Sequence, residues 1–344
     1  MAIERQSEST PGRQADSMQL SIVIPVYHSE SCLKPLLERI HEALQPEGIP
    51  FEVIFVNDGS KDGSWQVITE LCARHPHVIG ICLRRNFGQD NAILTGLRHA
   101  RGTFVATMDD DLQHDPRDLP RLLAAMQEGD AEVIFGAVDS RQDPLWRQWG
   151  RAINSRTLEW LLDKPKELQF TSYRIMRAEV VRDIGFYDGA FPFIDALLAQ
   201  VTTRFAQIEV QFHPRHAGRS NYNLFRSIQM WMKLAISFSI KPLRLVTLLG
   251  LLSFLIGLIS ATVVVTNRVL WPETYDPHEA GWASLMVTLL IVSGLQMCFL
   301  GVLGEYVGRS FILHSRRPQA VIARVINGAD ATAHTPPGTN QLSG

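Results

Sequence analysis

Three consecutive aspartates, Asp109, Asp110 and Asp111, follow the apolar segment TFVATM and are the strongest chemical signal in the sequence. On an extended backbone, side chains two residues apart point the same way, so Asp109 and Asp111 would face one ion. Carboxylate oxygens suit Mg²⁺ or Mn²⁺, which would bridge them to a substrate diphosphate and stabilise the departing charge. A solvated turn capping a helix that begins near Pro116 would contain the same residue types.

A second polar element, Asp58-Gly59-Ser60, follows the apolar segment FEVIFVN. A carboxylate at the end of a strand can accept a hydrogen bond from a ring N–H or a ribose hydroxyl, and glycine lets the loop approach a ligand closely. The same residues would also suit a helix N-cap, because residues 62–64 (Asp-Gly-Ser) form a good turn. The residues alone are compatible with both interpretations.

A third polar element is the segment RHAGRSNY, residues 215–222. Arginine forks and hydroxyl groups bind phosphate oxygens well, which makes Arg215, Ser220 and Tyr222 candidate phosphate ligands. A basic linker touching anionic lipid would carry the same charges. The two roles are compatible, because an anionic lipid could itself be the substrate.

Strands and helices alternate in the first two-thirds of the chain. Short apolar runs rich in β-branched residues (LSIVIPV, FEVIFVN, VIGICLR, TFVATM and AEVIFGAV) are separated by helical patterns such as residues 31–43. This alternation predicts an α/β fold with a mostly parallel sheet covered on both faces. Ligands bind at the carboxyl ends of such strands, where the sequence places Tyr27-His28, Asp58-Gly59-Ser60, Arg85-Asn86 and Asp109-Asp110-Asp111.

The composition excludes some classes of function. The chain has 344 residues, with 33 basic and 35 acidic side chains, and this balance argues against nucleic acid as the main partner. The cysteines are scattered without metal-ligand spacing and are interpreted as packing residues. Residues 1–18 are polar and lack the apolar stretch of a signal peptide, so we expect a disordered tail and a cytoplasmic first domain, residues 19–225.

Two uncharged apolar segments, residues 245–267 and 280–304, follow that domain. Each exceeds the roughly 20 residues that cross ~30 Å of hydrocarbon, which predicts two transmembrane helices. Lysines and arginines flank the pair on the outer sides, so the positive-inside rule puts both ends, including residues 305–344, in the cytoplasm. Two buried core helices would be the alternative.

Residues 226–244 precede the first apolar segment and have helical periodicity. Ile228, Trp231, Met232, Ala235 and Phe238 recur on one face, beside Lys233 and Lys241. This pattern predicts an amphipathic helix lying in the membrane interface. A helix packed on the soluble domain would show the same pattern.

An ordered series of motifs resembles the family-2 inverting glycosyltransferases, and within them the polyprenyl-phosphate branch. The motifs are SIVIPVY, VNDGSKDGS, RRNFGQDNAILTGL, ARGTFVATMDDDLQHDP, SYRIMR, RHAGRSNY, IKPLR and LGEYVGR. The resemblance covers about residues 19 to 318 and implies a GT-A (Rossmann-like) fold. It also implies a nucleotide-sugar donor, with UDP as the expected nucleotide, a polyprenyl phosphate acceptor, and a homo-oligomer, commonly a tetramer.

The resemblance assigns roles to particular residues. It implies metal binding by Asp109 and Asp111 with support from Gln113, and leaving-group contacts from Arg215 and Ser220. It implies that the nucleotide lies beside Pro25, Tyr27, Asp58, Gly59, Arg85, Asn86, Gly88 and Asp110. Ser172 stands where several members of the branch have an aspartate proposed as the general base.

Loss of that aspartate is compatible with transfer. A phosphate monoester has a second pKa near 6, so the lipid phosphate is largely a dianion at pH 7 and can attack the anomeric carbon without a base. Arginines should hold this acceptor, and Arg141, Arg147 and Arg151 are candidates because nearby tryptophans could lie against the membrane. An ordinary amphipathic helix would also explain this segment.

The sequence therefore predicts a membrane-anchored enzyme at the bacterial cytoplasmic membrane. It would load one sugar onto undecaprenyl phosphate with inversion, for use in cell-envelope glycan or lipopolysaccharide modification. A processive synthase would have more spans and a Gln-x-x-Arg-Trp motif, and neither is found. A sugar nucleotidyltransferase would have no evident use for membrane helices. A non-catalytic nucleotide-sugar-binding or lipid-flipping partner is disfavoured by the presence of both Asp109 and Asp111.

Overall fold

The computed structural model describes residues 18–137, 168–189, 192–212, 241–270, 281–314 and 318–328. Strand and helix alternate through the first of these ranges, as the apolar runs predict. The strands are β1 (Leu20–Val26), β2 (Phe51–Asn57), β3 (Val78–Leu83), β4 (Phe104–Thr107), β5 (Val133–Ala137), β6 (Arg174–Arg177), β7 (Phe205–Glu209) and β8 (Ile322–Ile326). The helices are α1 (Leu33–Leu44), α2 (Ser64–Arg74), α3 (Gln89–Leu97), α4 (Leu119–Glu128), α5 (Ala178–Gly185), α6 (Ile194–Val201), α7 (Lys241–Leu270) and α8 (Gly281–His314).

The strands form one mixed, mostly parallel sheet. Its order among the described residues is β7-β5-β6-β4-β1-β2-β3-β8. The pairs β1–β2, β1–β4, β2–β3 and β5–β7 are parallel, whereas β6 and β8 run antiparallel to their neighbours. The sequence predicted the parallel centre correctly. It did not predict β6, β7 or β8, because these strands are short or half exposed and lack a continuous apolar run.

Two separate layers of apolar side chains cover the sheet. Ile22 and Ile24 of β1 face the layer that contains α1, α2 and α4, whereas Val23 faces the layer that contains α3, α5 and α6. Successive side chains of a strand point to opposite faces, so a strand covered on both faces must be apolar at every position. This explains the continuous apolar runs that identified the strands.

A buried ion pair between Glu52 and Arg101 lies at the amino-terminal ends of the central strands. Glu52, which is 0% exposed, accepts hydrogen bonds from the Ser21 hydroxyl at 2.6 Å and the Arg101 backbone N–H at 2.8 Å. Its second oxygen accepts from Arg101 Nε at 3.0 Å and Nη2 at 2.7 Å. Both carboxylate oxygens are therefore satisfied, which a buried charge requires.

Two long helices, α7 and α8, contain the predicted membrane segments. A Cβ placed on Gly250 would lie 3.5 Å from the Phe299 ring, so the helices pack against each other. By length and composition one segment of the described residues, Ile291–Gly308, is sufficient to cross a membrane, and the apolar part of α7, Val246–Ile259, is shorter. The prediction of two spans at 245–267 and 280–304 therefore stays a prediction.

The segment predicted as an interfacial helix, residues 226–244, lies mostly outside the described residues. Its last residues, 241–244, belong to α7, so α7 includes more of the basic flank than the sequence assigned to it. Residues 1–17 of the predicted N-terminal tail also lie outside the described residues.

Candidate active site

The parallel register brings the carboxyl ends of β1, β2, β3 and β4 to one edge of the sheet. Val26 pairs with Asn57, Asn57 pairs with Cys82, and Val23 pairs with Thr107. The loops that follow these strands therefore lie side by side. This confirms the expectation that the polar residues after each strand meet at a common edge.

Asp58 connects two of these loops. Its carboxylate oxygens accept hydrogen bonds from the backbone N–H groups of Phe87 at 2.7 Å and Gly88 at 2.9 Å. The side chain is 3% exposed, and burial raises its pKa against the opposing effect of the two hydrogen bonds. Asp58 therefore fixes the loop after β3, and its contact with the nucleotide stays a prediction from the sequence.

Gly59 allows the same two loops to touch. Its φ is +66°, and a Cβ at this position would lie 2.5 Å from the carbonyl carbon of Arg85 and 2.6 Å from the backbone nitrogen of Asn86. Both the conformation and the close approach require glycine. Gly88, with a φ of +98°, ends the second loop directly before α3.

The remaining predicted nucleotide residues differ in exposure. Arg85 and Asn86 are exposed, and the guanidinium carbon of Arg85 lies 4.7 Å from the centroid of the Phe87 ring. Tyr27 is 49% exposed and its ring stacks on His28 at 4.2 Å. Pro25 is buried within β1. Aromatic and guanidinium groups thus face solvent beside the loops that Asp58 and Gly59 hold together.

Asp109 is positioned by two neutral side chains from other elements. Gln89 Nε2 donates to one carboxylate oxygen at 2.8 Å, and the Ser172 hydroxyl donates to the other at 2.6 Å. Gln89 is the first residue of α3, and Ser172 precedes β6. Sequence reasoning missed Gln89, because nothing in its local pattern indicates that α3 begins beside β4.

Asp110 and Asp111 point to different partners. Asp110 accepts from the Tyr27 backbone N–H at 3.1 Å, and burial, reinforced by the charges of Asp109 and Asp111, raises its pKa to about 6 against an opposing hydrogen bond from Ser29. Asp111 accepts from the Gln113 backbone N–H at 3.2 Å. The aspartates lie beyond the end of β4 at Thr107, and the chain bends at Asp110 and Asp111, so the extended backbone assumed from the sequence is wrong there.

His114 lies behind the aspartates and was not predicted. Its Nδ1 accepts from the Asp109 backbone N–H at 3.2 Å, and its ring stacks on Tyr173 at 4.9 Å. Burial lowers the pKa of this histidine, although the charges of Asp109 and Asp111 oppose the shift. A neutral ring that accepts at Nδ1 fixes the start of the acidic loop.

Buried and partly buried charged side chains of β6, α6 and α3 lie next to the end of β4 and support the site. Arg174 is paired with Asp195 and donates from Nε to the Thr107 hydroxyl at 3.1 Å. Asp90, next to Gln89 in α3, accepts from the Ile194 backbone N–H at 3.4 Å. Burial and the nearby Asp195 raise the pKa of Asp90 to about 6, and Arg174 opposes the shift. The motif SYRIMR contained Arg174, but only the fold connects it to Asp90.

The donor set at this edge fits a hard divalent cation. Asp109 and Asp111 supply carboxylate oxygens, which Mg²⁺ and Mn²⁺ prefer. The partners of Asp109 in the described part of the chain are neutral donors, and the charges of Asp109 and Asp111 add to the burial that raises the pKa of Asp110. For Gln113 the structure gives a backbone contact to Asp111, and no metal-directed role of its side chain follows from this contact.

Several predicted site residues lie outside the described residues. They are the phosphate-contacting or acceptor candidates Arg141, Arg147, Arg151, Arg215, Ser220 and Tyr222. Their roles stay predictions from the sequence.

Comparison with known families and proteins decides the class of protein. The model of "Glycosyl transferase family 2" matches residues 21–185, and that of "GtrB C-terminal hairpin" matches residues 241–310. An undecaprenyl-phosphate 4-deoxy-4-formamido-L-arabinose transferase from Edwardsiella ictaluri (strain 93-146) is 31% identical over 314 residues, which are 89% of this chain and 94% of the relative. The chain belongs to glycosyl transferase family 2.

A second relative of this family-2 glycosyltransferase gives the same result. The prophage bactoprenol glucosyl transferase homolog of Escherichia coli (strain K12) is 30% identical over 315 residues, which are 90% of this chain and 99% of the relative. Both alignments cover about nine-tenths of this chain. The sequence-based recognition of the family is confirmed, and the sheet with helices on both faces is the GT-A-type fold expected from it.

A solved structure with partial likeness is glucosyl-3-phosphoglycerate synthase from Mycobacterium tuberculosis in complex with Mn²⁺, UDP and phosphoglyceric acid. It has a TM-score of 0.48 and 16% identity, and the match covers 64% of this chain and 77% of that chain. A likeness at this level adds nothing to the family assignment.

Proposed function

We propose that this family-2 glycosyltransferase transfers a single sugar from a nucleotide-sugar to undecaprenyl or another polyprenyl phosphate. The observation that carries the proposal is the match, over 90% of this chain, to a relative named for bactoprenol glucosyl transfer, together with a relative named for undecaprenyl phosphate. The lipid-linked sugar would serve cell-envelope glycan or lipopolysaccharide modification. UDP is the expected nucleotide.

The donor would lie along the carboxyl edge of the sheet. Asp58 and Gly59 hold the loop of Arg85 and Asn86 in place, so that its exposed groups and the Tyr27 ring can contact the nucleotide. The role of Asp58 is to position this loop, because its carboxylate accepts hydrogen bonds from the backbone of Phe87 and Gly88. Preorganised loops reduce the conformational entropy lost when a ligand binds.

Asp109 and Asp111 would hold a divalent cation, Mg²⁺ or Mn²⁺. When bound, such an ion stabilises the charge that develops on the departing diphosphate. Gln89 and Ser172 keep the Asp109 carboxylate oriented, and His114 keeps its backbone in place. From the sequence, Arg215, Ser220 and Tyr222 are proposed to contact the phosphates as well.

The acceptor phosphate would attack the anomeric carbon directly, with inversion of configuration. A phosphate monoester with a second pKa near 6 is largely a dianion at pH 7, so no protein base is required. Ser172 cannot replace a carboxylate base, since a neutral hydroxyl is far less basic than a carboxylate, and the Ser172 hydroxyl donates a hydrogen bond to Asp109 at 2.6 Å. We assign Ser172 to orientation of Asp109, and Arg141, Arg147 and Arg151 to the acceptor phosphate.

The helical hairpin would place this chemistry at the membrane. The segment Ile291–Gly308 can cross a bilayer, and large apolar side chains such as Leu285, Met297 and Phe311 are 69–72% exposed. A helix pair with many exposed apolar side chains is stabilised by contact with lipid or with other chains. We propose a two-span anchor with the catalytic domain at the cytoplasmic face of the bacterial inner membrane, in a homo-oligomer.

Release of nucleoside diphosphate tests the proposal. Detergent-purified full-length protein would be given a panel of nucleotide-sugars with Mg²⁺ or Mn²⁺, with and without undecaprenyl phosphate. We expect release with one donor and only when the lipid is present. Formation of nucleotide-sugar from a sugar phosphate and a nucleoside triphosphate would indicate a nucleotidyltransferase. Donor binding without turnover under every condition would indicate a non-catalytic partner, and either result would overturn the proposal.

A further inference from the structure

Three histidines meet at the amino-terminal edge of the sheet, at the opposite ends of the strands from Asp109. His41 lies in the last turn of α1, and His75 and His77 flank Pro76 in the link between α2 and β3. One ligand nitrogen from each ring lies within 4.8 Å of those of the other two. Within the described residues, no other group of three or more histidine, cysteine or acidic side chains brings its ligand atoms this close together.

The rings form a nearly regular triangle. Their centroids are separated by 5.1 Å for His41 and His75, 5.0 Å for His41 and His77, and 5.7 Å for His75 and His77. His41 Nε2 and His77 Nε2 are 2.8 Å apart. All three side chains are half-buried, so an ion could reach them from solvent.

The backbone around the histidines is fixed by the sheet. The His75 carbonyl accepts from the Val78 N–H at 3.0 Å, and the His77 carbonyl accepts from the Val53 N–H at 3.0 Å. The Phe51 ring packs against His41 at 5.6 Å and His77 at 5.1 Å. The positions of the three rings therefore follow from the β2–β3 pairing and the packing of α1, which limits their freedom before any ligand binds.

The electrostatics of the cluster favour neutral rings. Burial lowers the pKa of His41, and the neighbouring His75 adds to this effect. Burial also lowers the pKa of His77, with further contributions from His41 and His75. Metal ions bind neutral imidazole, so the lowered pKa values of His41 and His77 favour the form that coordination needs.

We propose that His41, His75 and His77 form a three-histidine site for a divalent transition-metal ion, with Zn²⁺ as the expected occupant. Zn–N bonds of ~2.0–2.1 Å in a tetrahedral site require nitrogens ~3.3 Å apart, which small side-chain rotations would achieve. Before binding, one of the two rings, His41 or His77, carries the proton of the hydrogen bond between their Nε2 atoms. On binding, that ring changes tautomer and carries its proton on Nδ1, so that both Nε2 atoms can bind the ion. The partly exposed position leaves a fourth ligand place for water.

The occupant would differ from that of the carboxylate site. Imidazole nitrogen suits zinc and its neighbours in the transition series, whereas carboxylate oxygen suits Mg²⁺ and Mn²⁺. The ion would tie α1 to the link between α2 and β3, far from the loops that hold Asp109. Its effect is therefore on stability, with sugar transfer unchanged.

Zinc binding in excess Mg²⁺ tests this site. Full-length protein without a polyhistidine tag would be stripped with chelator, saturated with Mg²⁺ to fill the oxygen site, and titrated with Zn²⁺. We expect one Zn²⁺ per chain and a rise in the thermal midpoint of about 5 °C when free Zn²⁺ exceeds its dissociation constant ~100-fold.

Variants separate the cluster from other zinc-binding groups. H75Q and H77Q should each weaken Zn²⁺ binding by about 100-fold, because each removes one of three protein ligands. H99Q is the matched control, since His99 binds the Thr95 carbonyl at 2.8 Å outside the cluster and should leave zinc binding unchanged. Absence of zinc binding by the wild-type protein, or equal binding by wild type and both cluster variants, would overturn the proposal.

A second measurement needs no variant and therefore does not depend on how the variants fold. Diethyl pyrocarbonate modifies accessible imidazole nitrogens, and the modified residues can be identified by mass spectrometry. Zn²⁺ should slow modification of His41, His75 and His77 at least about 10-fold in the presence of Mg²⁺, because coordination occupies the reactive lone pairs. Unchanged modification rates at all three positions would contradict the site.

Discussion

Glu52 and Asp109 are carboxylates at opposite ends of one sheet, and their charges are compensated in different ways. Glu52 receives a bidentate guanidinium from Arg101 and a hydroxyl from Ser21. Asp109 receives the neutral donors Gln89 and Ser172, and lies next to two more carboxylates. The charge of Glu52 is paired within the chain, whereas among the described residues the hydrogen-bond donors to Asp109 orient it without neutralising it.

Under the proposed function, this difference separates a structural charge, Glu52, from a metal-binding one, Asp109. A buried ion pair that is fully hydrogen-bonded has no capacity for a further ligand. Burial raises the pKa of Asp110 to about 6 and the charges of Asp109 and Asp111 add to this effect, so an added cation would stabilise these adjacent carboxylates. Substitutions at the two edges should therefore affect different quantities.

The largest effect is expected from D111N. The substitution removes one anionic oxygen ligand and should lower sugar transfer about 10³-fold or more, with little change in the thermal midpoint. Initial rates of nucleoside diphosphate release at saturating Mg²⁺ or Mn²⁺ measure the effect. Wild-type turnover by this variant would refute metal-assisted transfer at this edge.

E52Q is the matched control at the other edge. It leaves the Arg101 guanidinium with a neutral partner and places an amide group against donors, which should cost about 2 kcal/mol of stability; the guanidinium is half exposed and is partly screened by water. Transfer per folded molecule should stay close to that of the wild type. Loss of transfer without loss of stability would remove the distinction between the two edges.

G59A should have the next largest effect. The new Cβ would lie 2.5 Å from the Arg85 backbone at a φ of +66°, so the loops after β2 and β3 must separate. We expect a loss of about 3 kcal/mol in the free energy of unfolding, together with a raised KM for the donor. G48A is the control, because its φ is +64° with open space around it and should cost only about 1 kcal/mol.

The charge of Asp90 is compensated less fully than that of Glu52, because the nearby Arg174 is paired with Asp195. Its folded pKa of about 6 lies above the ordinary value of 3.8, so the folded protein binds this proton more tightly than the unfolded chain does. The contribution of Asp90 to the free energy of unfolding therefore falls as pH rises from about 4 to about 6, by about 2 kcal/mol.

D90N removes this pH dependence. The difference in thermal midpoint, D90N minus wild type, should increase between pH 4 and pH 6 and then stay constant. E70Q provides a control of opposite sign, since a hydrogen bond from Lys34 and its charge lower the pKa of Glu70. A difference between D90N and wild type that is constant with pH would show that Asp90 keeps an ordinary pKa.

The smallest effect is expected from S172A. Loss of the hydrogen bond to Asp109 should reduce kcat about 5-fold to 10-fold, which corresponds to about 1 kcal/mol, with the donor KM nearly unchanged. The pH dependence of kcat should keep its shape, because Ser172 only orients Asp109. A loss of 10³-fold or more would instead assign Ser172 a direct role in the chemistry.

Much of the site was readable from local sequence. Asp109, Asp111, Asp58 and Gly59 follow apolar runs, and the carboxyl ends of parallel strands meet at one edge regardless of the helices between them. The continuous apolar pattern needed for burial on two faces identified the central strands correctly. The edge strands escaped detection because partial exposure removes that pattern.

Other features depend on contacts between distant parts of the chain. Gln89 reaches Asp109, Asp58 accepts from Phe87 and Gly88, and Arg174 joins Asp90 through Asp195, each across a long separation in sequence. Nothing in the sequence joined His41 to His77, and only the packing of α1 beside Phe51 of β2 brought their Nε2 atoms within 2.8 Å. Local propensity contains no record of such contacts.

The sequence by itself determined the fold class, the family and the residue types available for chemistry, because strand burial and motif order are written in adjacent residues. Only the tertiary structure decided which side chains hold Asp109 and which carboxylates are already neutralised within the chain. Hydrogen bonds and Coulomb interactions act over a few ångströms in space, and the order of residues along the chain does not give those distances.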